Sequence, residues 1–268
     1  MKNRFCAAMA GIFLVFSCVS LEKEPQKPGT GQLDISLEEM YHSGYWVTRP
    51  SEGVISVLGI AGRRRNRDEA IAEALADAAR RVALYHGVHG ESAAVLNQGS
   101  GYVDYFSDFD YRLDVLHGAE NYAGDLIFDK DRDVLEKNGA VFVRVRYPGV
   151  SGIPPYETVM ENGMPLWVKN YSADIPGFLT AVSYSKNKGS PQKTYQASYE
   201  NAICTLLPRL SSKAVNEVVD SEGSRVSRSI SISSGDLEQV MILETWVDGK
   251  TGAVWTLLVA KQKNKEEQ

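Results

Sequence analysis

The stretch between Gly53 and Gly87 constrains the fold more than any other part of the chain. An apolar run with a central glycine, Val54 to Ala61, precedes a basic turn and an alanine-rich segment, Asp68 to His86. In that segment apolar residues recur three or four positions apart, and charged residues fill most other positions, which is the pattern of an amphipathic helix. Asn66 is a suitable N-cap residue, and Gly87 is placed to end the helix. The pattern therefore predicts a strand followed by a long helix.

The same plan recurs in the second half of the chain. Tyr45-Trp46-Val47 is echoed by Leu166-Trp167-Val168, and Lys137 to Phe142 is echoed by Lys250 to Trp255. A second helical pattern, around Gln192 to Val219, also follows an apolar run. Similarity that recurs in the same order along a chain indicates an internal repeat.

Alternating apolar and polar residues predict further strands after each helix. The first copy is expected to continue as an antiparallel meander of three strands, at Tyr111 to His117, Tyr122 to Lys130 and Ala140 to Tyr147. The clearest hairpin of the second copy joins Gln239 to Val247 with Ala253 to Ala260 around a turn at Asp248. The predicted fold class is α+β, with two tandem modules that are each an antiparallel sheet of about four strands crossed by one long helix.

Composition shifts divide the chain into segments. We expect a lipoprotein signal peptide at 1–17, a flexible tether at 18–43, the first module at 44–148, a linker at 149–165, the second module at 166–262 and a tail at 263–268. Pro154, Pro155 and several glycines mark the linker. Pro208 lies inside the second helical pattern, where a kink or a break is expected.

The N-terminal stretch has the features of an export signal. Lys2 and Arg4 precede an apolar run, Phe5 to Phe16, that is short for a permanent membrane-spanning helix. Leu14 to Cys18 resembles a bacterial lipobox, so Cys18 is the predicted lipidation site; the alternative is an ordinary cysteine near a conventional cleavage site. Acyl chains on Cys18 would anchor the protein to a membrane. We therefore expect an envelope protein that faces the periplasm from the outer or the inner membrane.

Composition and motifs narrow the classes of function. The chain has 268 residues, of which 43% are hydrophobic and 24% charged, and its formal net charge is -5. These values are ordinary for a globular protein, and the acidic balance does not favour nucleic acid as a partner. The sequence carries no nucleophile elbow, zinc-protease motif, phosphate-binding loop or dinucleotide fingerprint. No catalytic residue, no metal and no cofactor are predicted, and the protein is not expected to be an enzyme.

A basic cluster lies just before the first helix, and its members are Arg63, Arg64, Arg65 and Arg67. Positive charge at a helix N-terminus opposes the helix dipole, so a partner that compensates it is expected. Anionic lipid headgroups or an acidic protein surface would suit the cluster. The alternative is a solvated turn that Asp68 and Glu69 partly neutralise.

An aromatic and acidic segment follows the first helix, and its candidate ligand-binding residues are Tyr102, Tyr105, Phe106, Phe109, Asp104 and Asp108. Aromatic rings beside carboxylates suit the recognition of sugars or peptides. With Asp110, the acids would also suit weak glycoside hydrolysis. The alternative is that the rings cover the sheet while the aspartates keep the loop solvated.

Two groups of residues carry side chains of the types that bind metals. They are His86 with His89 and Glu91, and the alternating acids Asp129, Asp131 and Asp133. The acids lack the turn glycine and the bidentate glutamate of a calcium loop. A C-terminal helix position for His86 and a solvated turn for the aspartates are the favoured interpretations.

The glycine of the first strand, the basic turn and the small residues of the first helix resemble one known family. These residues are Gly59, Ala70, Ala74, Asp77, Ala78, Ala79 and Ala83. They look like the twenty-kilodalton bacterial outer-membrane lipoprotein family and the related N-terminal domain of flagellar assembly protein T. The resemblance covers Trp46 to Tyr147 and, more faintly, Trp167 to Lys261. It implies small sheets crossed by one long helix and a binding or scaffolding role in the envelope, with no catalytic residues.

Three functions remain open at this point. The first is a non-enzymatic lipoprotein that binds or scaffolds another envelope component of the flagellar or cell-wall apparatus. The second is a peptidoglycan or glycan binder, or a weak hydrolase. The third is a structural lipoprotein that forms homo-oligomers through its sheet edges.

Overall fold

The computed structural model describes residues 36–47, 53–99, 102–104, 110–150, 152, 156–221 and 224–263. The helices are α1 (Leu37–Ser43), α2 (Arg67–His86), α3 (Leu166–Asn170) and α4 (Pro191–Leu210). The strands of the first half are β1 (Tyr45–Val47), β2 (Val54–Gly62), β3 (Val88–Gly99), β4 (Tyr102–Asp104), β5 (Asp110–Val115), β6 (Val134–Lys137) and β7 (Ala140–Pro148). Those that follow are β8 (Met160–Glu161), β9 (Met164–Pro165), β10 (Leu179–Ser185), β11 (Ser212–Ser221), β12 (Ser224–Val247) and β13 (Val254–Gln262).

These elements form an α+β fold with antiparallel sheets, as the sequence predicts. Sheet A has the order β10-β13-β12-β3-β4, with β1 and β11 also paired to β12 and β5 paired to β3. Sheet B has the order β2-β7-β6, and β8 pairs with β9. The predicted hairpin around Asp248 is confirmed as the end of β12 joined to β13.

Sheet A joins the two halves of the chain. Strand β3 of the first half runs beside β12 of the second, from Val88 opposite Leu237 to Gln98 opposite Ser227. One buried cluster also takes residues from α2, sheet B and sheet A, among them Ala78, Val143 and Leu257. The structure therefore does not confirm two separate tandem modules, because strands of both halves share one sheet and one core.

Helix α2 begins one residue before the predicted start and packs very closely on sheet B. The Asn66 side chain accepts a hydrogen bond from the backbone N–H of Asp68, and Gly87 follows the helix with a φ of 141°. A Cβ placed on Gly59 would lie 2.0 Å from the carbonyl oxygen of Ala74. Only a glycine in the strand, facing small residues of the helix, permits this approach.

The order of pairing in the first half recurs in the second. In each half, the strand before the long helix pairs with the last strand of that half, and the last strand also pairs with the strand that precedes it. The resulting orders are β2-β7-β6 in the first half and β10-β13-β12 in the second. Ile60 lies opposite Phe142, and Tyr184 lies opposite Trp255. The predicted echo of Phe142 by Trp255 thus falls on matching positions of the two pairings.

The predicted meander of the first half is wrong. Strand β5 pairs with β3 in sheet A, whereas β7 pairs with β2 and β6 in sheet B. The segment predicted as the middle strand, Tyr122 to Lys130, instead includes a short 3-10 turn at Ala123–Asp125 and a single bridge between Ile127 and Arg146. Glycine weakens a strand, and Gly124 interrupts this one.

Other boundaries also differ from the predictions. Helix α1 occupies the end of the predicted tether, because Ser36 and Glu39 form a capping box. Trp167 lies on helix α3 rather than on a strand like Trp46. The predicted linker contains the β8–β9 hairpin. Helix α4 continues through Pro208 without a break and ends at Leu210, since a proline so near the end removes only one late hydrogen bond.

Candidate functional site

The basic turn predicted from the sequence is exposed, but two of its arginines are paired within the chain. The Nε of Arg64 lies 2.6 Å from Oε2 of Glu73. The Nε of Arg67 lies 2.5 Å from Oε1 of Glu136. Hydrogen bonding to Arg64 lowers the pKa of the Glu73 carboxyl. The other two arginines of the turn are exposed, so half of the predicted cluster presents its charge to solvent without these pairs.

Two predicted sites lie wholly or mainly outside the described residues. Cys18, the predicted lipidation site, precedes residue 36. The backbones of Tyr102 and Asp104 belong to β4, while Tyr105, Phe106, Asp108 and Phe109 fall outside the described ranges. None of the helices within the described ranges combines the length and the apolar character needed to cross a membrane.

The residues weighed as metal ligands have other partners. His89 Nδ1 lies 2.6 Å from Oδ1 of Asp236, and this hydrogen bond raises the pKa of His89. Asp133 is buried and forms an ion pair with Arg144, whose Nη2 lies 2.8 Å from Oδ1. Within the described ranges, no group of three or more histidines, cysteines and acids is arranged to hold a metal ion.

A cleft of about 560 Å³ opens between α1, β1, the N-terminus of α4 and the turn that joins β12 to β13. Tyr41 and Trp46 line it from the first half, and Ser190 and Trp246 line it from the second. Its walls therefore depend on the way sheet A brings the two halves together. A volume of this size is within the range of about 300 to 1,000 Å³ that small-ligand sites occupy.

The floor of the cleft is a rigid set of aromatic rings. Trp46 stacks on Phe142 with a centroid distance of 5.4 Å, and Tyr195 approaches Phe142 edge-on at 6.1 Å. Trp46, Phe142 and Tyr195 are 2%, 1% and 7% exposed. Burial also raises the pKa of Tyr195, so this ring stays uncharged. These buried rings fix the shape of the floor and leave little of their own surface open to the cleft.

The rim of the cleft is polar but almost uncharged. Asn138 Nδ2 donates to the hydroxyl of Tyr41 at 2.6 Å, and Asn187 Oδ1 accepts from the backbone N–H of Gly189 at 2.8 Å. Ser190 caps α4 by accepting from a backbone N–H of its first turn. Among the described lining residues there is no carboxylate, lysine or arginine, and His42 is the one titratable nitrogen.

The basic turn lies against the same end of α4 that lines the cleft. The backbone N–H of Gly62, just before the turn, donates to Oε1 of Gln192 at 3.2 Å. Glu73, the partner of Arg64, also receives a hydrogen bond from Gln192, which further lowers its pKa. The exposed arginines therefore flank the cleft without lining it.

An interior cavity of about 40 Å³ lies elsewhere, between β2, α2, α4 and β12. Ser56 and Arg81 line it, and the Oγ of Ser56 and the Nε of Arg81 have no hydrogen-bond partner among the residues that the structure describes. A cavity of this size and polarity suits one or two ordered waters rather than a ligand. We regard it as part of the core.

The sequence did not point to the cleft. Its residues come from five separated segments, and several of them, such as Asn138 and Asn187, belong to turns or loops whose composition is ordinary. One available signal was Trp46, which the internal repeat had already marked. The predicted sites contributed only the flanking arginines.

Comparisons with known proteins give no relative for this chain. No protein-family description, no curated protein and no solved structure matches it.

Proposed function

We propose that this protein is a non-enzymatic envelope lipoprotein, anchored through Cys18, that binds an uncharged ligand rich in hydroxyl and amide groups. The cleft carries the proposal. It combines an aromatic floor with a rim of amides and hydroxyls, and its described lining has no carboxylate, lysine or arginine. The predicted lipobox supports the anchor and the periplasmic location.

The lining favours a sugar ligand over a charged one. A buried charge needs a partner of opposite sign, which the described lining does not supply. The partly exposed ring of Trp246 can pack against the apolar face of a sugar ring, while Asn138 and Asn187 offer donors and acceptors to hydroxyl and acetamido groups. An oligosaccharide of N-acetylated amino sugars, the chemistry of a cell-wall glycan, combines these features.

Binding rather than hydrolysis is proposed for the same reason. Hydrolysis of a glycosidic bond by the usual mechanism requires two carboxyl groups flanking the bond. The described lining provides neither.

Scaffolding of another envelope protein is the second candidate. The exposed arginines of the basic turn favour it, because they lie next to the cleft and would suit an acidic partner surface. Replacing both Arg63 and Arg65 with Gln would abolish such an interaction and would leave binding of a neutral sugar unchanged. Assembly of several copies of the chain is the third candidate.

Calorimetric titration of the full chain with a neutral oligomer of N-acetylglucosamine tests the proposal. We expect saturable binding that Asn187→Ala weakens about tenfold or more, the loss typical of a hydrogen bond that orients a ligand. Asn170→Ala, at an exposed position on α3, is the matched control and should bind like the unaltered chain. Absence of binding, or binding that both variants leave unchanged, would exclude the cleft as a glycan site.

A further inference from the structure

Three aromatic side chains form a second, exposed cluster, which we call the aromatic notch: Tyr171, Tyr184 and Trp255. Tyr184 and Trp255 are stacked, with centroids 4.9 Å apart and ring planes 23° apart. Tyr171 stands across them, at 73° to Trp255 and 89° to Tyr184. Tyr171 is 55% exposed and Tyr184 is 37% exposed. Large apolar rings that cluster on a surface in this way mark interaction sites.

The notch lies on the face of sheet A opposite α4. Helix α4 packs on the other face, where the hydroxyl of Ser198 lies 2.7 Å from that of Thr256. Thr256 and Trp255 are neighbours on β13, so their side chains point to opposite faces. On the face that carries Trp255, Leu257 is buried in the core, so the notch lies where this face leaves the core.

The pair of Tyr184 and Trp255 has a matching pair in the first half of the chain. Asp77 of α2 accepts a hydrogen bond from the backbone N–H of Ile60, and Asn201 of α4 donates to the carbonyl of Tyr184. Each contact joins a long helix to the strand that precedes it, which identifies Ile60 and Tyr184 as matching residues. Their cross-strand partners, Phe142 and Trp255, then match as well.

In the first half this pair is completely buried. Ile60 and Phe142 are 0% and 1% exposed. The cover consists mainly of α1 and β1, from which Tyr41 meets Phe142 edge-on at 5.6 Å and Trp46 stacks on it. Leu37 and Met40 of α1 join the same buried cluster. A short amphipathic segment carrying aliphatic and aromatic side chains thus completes this surface.

We propose that the aromatic notch is a docking site for a partner protein, occupied by a short apolar segment that presents a leucine or methionine beside an aromatic ring. The partner covers Trp255 as α1 and β1 cover Phe142. This site adjoins the cleft, because Trp255 lies directly opposite the cleft residue Trp246 in the pairing of β12 with β13, but none of the three rings of the notch lines the cleft.

The surroundings of the notch favour side-chain insertion over addition of a strand. Strand β10 is the edge of sheet A, but two of its outward carbonyls already accept hydrogen bonds from α4. Asn201 bonds the carbonyl of Tyr184, and Arg209 bonds that of Thr180 at 3.0 Å. An extended peptide would have to displace both.

The shape of the notch also favours a branched side chain over a sugar. The ring of Tyr171 stands nearly perpendicular to the stacked rings of Tyr184 and Trp255, so the three rings form an angular recess. A sugar, in contrast, stacks on an open flat ring face. Tyr171 is held in place by its left-handed backbone at the end of α3, with a φ of 54°. The recess is therefore preorganised for an inserted group.

The chain supplies a direct probe of this chemistry, a synthetic peptide of residues 36–47, which contains α1 and β1. We expect it to shift the indole resonance of Trp255 in the full chain with about millimolar affinity, since a helix this short is barely formed alone. Tyr171→Asn removes the upright ring and keeps a residue that tolerates positive φ, so it should weaken binding at least tenfold while the chain stays folded. Ile127→Ser, at another exposed apolar residue, should bind the peptide normally.

Other occupants would appear as distinct results, each of which overturns the proposal. No shift of Trp255 at about 5 mM peptide would do so directly. A Trp255 shift that the N-acetylglucosamine oligomer causes, and that exceeds the shift of its cross-strand neighbour Trp246, would assign the notch to a sugar. Vesicle binding lost in Tyr171→Asn would assign it to a membrane surface, and self-association lost in that variant would assign it to a second copy.

Discussion

The two halves of the molecule use one pairing scheme but differ in how each is linked and covered. In both, a 20-residue helix follows a strand that pairs with the last strand of its half. In the first half, the buried carboxylate of Asp77 links α2 to β2, and α1 and β1 cover the sheet face opposite α2. In the second, the link is a neutral amide, Asn201, and the pair of Tyr184 and Trp255 on the opposite face is only partly covered. The shared scheme thus provides the scaffold, and the differences lie at the surfaces that bind.

The buried charge of the first half is held by several partners. Asp77 Oδ2 accepts from the backbone N–H of Ile60 at 2.9 Å and from Nη2 of Arg81 at 3.1 Å. The guanidinium of Arg81 lies 4.7 Å from the ring centroid of Tyr199 on α4. This network connects the two long helices, whereas the Asn201 contact remains within its own half.

The largest expected effect comes from breaking that network. Asp77→Ala leaves the buried Arg81 without its counter-charge and the Ile60 N–H without an acceptor, so unfolding should become easier by about 3–5 kcal/mol. Asn201→Ala removes one exposed hydrogen bond and should cost about 1 kcal/mol or less. Urea unfolding of both variants measures the difference. Equal losses would show that the two links are equivalent after all.

Truncating the matched aromatic residues tests the difference in cover. Phe142→Ala empties a sealed site and should destabilise the fold by about 3–5 kcal/mol. Trp255→Ala removes a ring that is partly exposed and packs at the border of the core, so its cost should be smaller, about 2–3 kcal/mol. Thermal unfolding, followed by circular dichroism, compares them. A larger loss for Trp255→Ala would mean that the notch is part of the core.

The close approach of α2 to its strand should also be specific to the first half. Gly59→Ala places a methyl group against the Ala74 carbonyl and should cost roughly 1–3 kcal/mol through overpacking. The matching position on β10 is Ser183, one residue before Tyr184, and it already carries a side chain. Ser183→Ala should therefore change the stability by about 0.5 kcal/mol or less. If Gly59→Ala proves neutral, α2 does not lie as close to sheet B as described.

The smallest expected effect on stability concerns the pairing of β3 with β12, which joins the two halves of the chain. His89 on β3 faces Asp236 on β12 in register, and their hydrogen bond raises the pKa of His89. The folded state then binds the proton more tightly, so the added stability is complete below about pH 6.5 and declines as the pH rises through the folded pKa. Because the pair is partly exposed, the effect should be below about 1 kcal/mol.

Asp236→Asn provides the comparison for this pairing. The variant should lose stability relative to the unaltered chain near about pH 5.5, and the two should converge near about pH 9. Guanidinium unfolding at both pH values measures it. A loss that is larger at the higher pH would reverse the sign and contradict the ion pair.

Sequence reasoning succeeded where the determining contacts are local. The extent of α2 followed from its apolar period and from Asn66 and Gly87, and the hairpin around Asp248 followed from its turn. It failed where distant contacts decide. Nothing in β3 or β12 alone specifies that they pair, and this pairing joins the two halves into one sheet.

The candidate sites were hidden for the same reason. The cleft is assembled from five segments, so its neutral lining has no sequence signature. The repeat did reveal that Trp255 matches Phe142. It could not reveal that one is partly exposed and the other sealed, because burial depends on whether a further segment lies across the pair. In folds with an internal repeat, matching residues that differ in burial therefore indicate where a binding surface can lie.

The central claim, that binding surfaces of the two halves are separate, is best tested through the indole resonances of the four tryptophans. Trp46 and Trp246 line the cleft, Trp255 belongs to the notch, and the buried Trp167 donates to Glu244 and serves as an internal reference. Titration of the full chain with the N-acetylglucosamine oligomer should leave Trp167 in place and shift Trp46 and Trp246, with a smaller shift at Trp255 because it lies opposite Trp246 on the neighbouring strand. A shift at Trp255 alone, or at none of the four, would contradict the account.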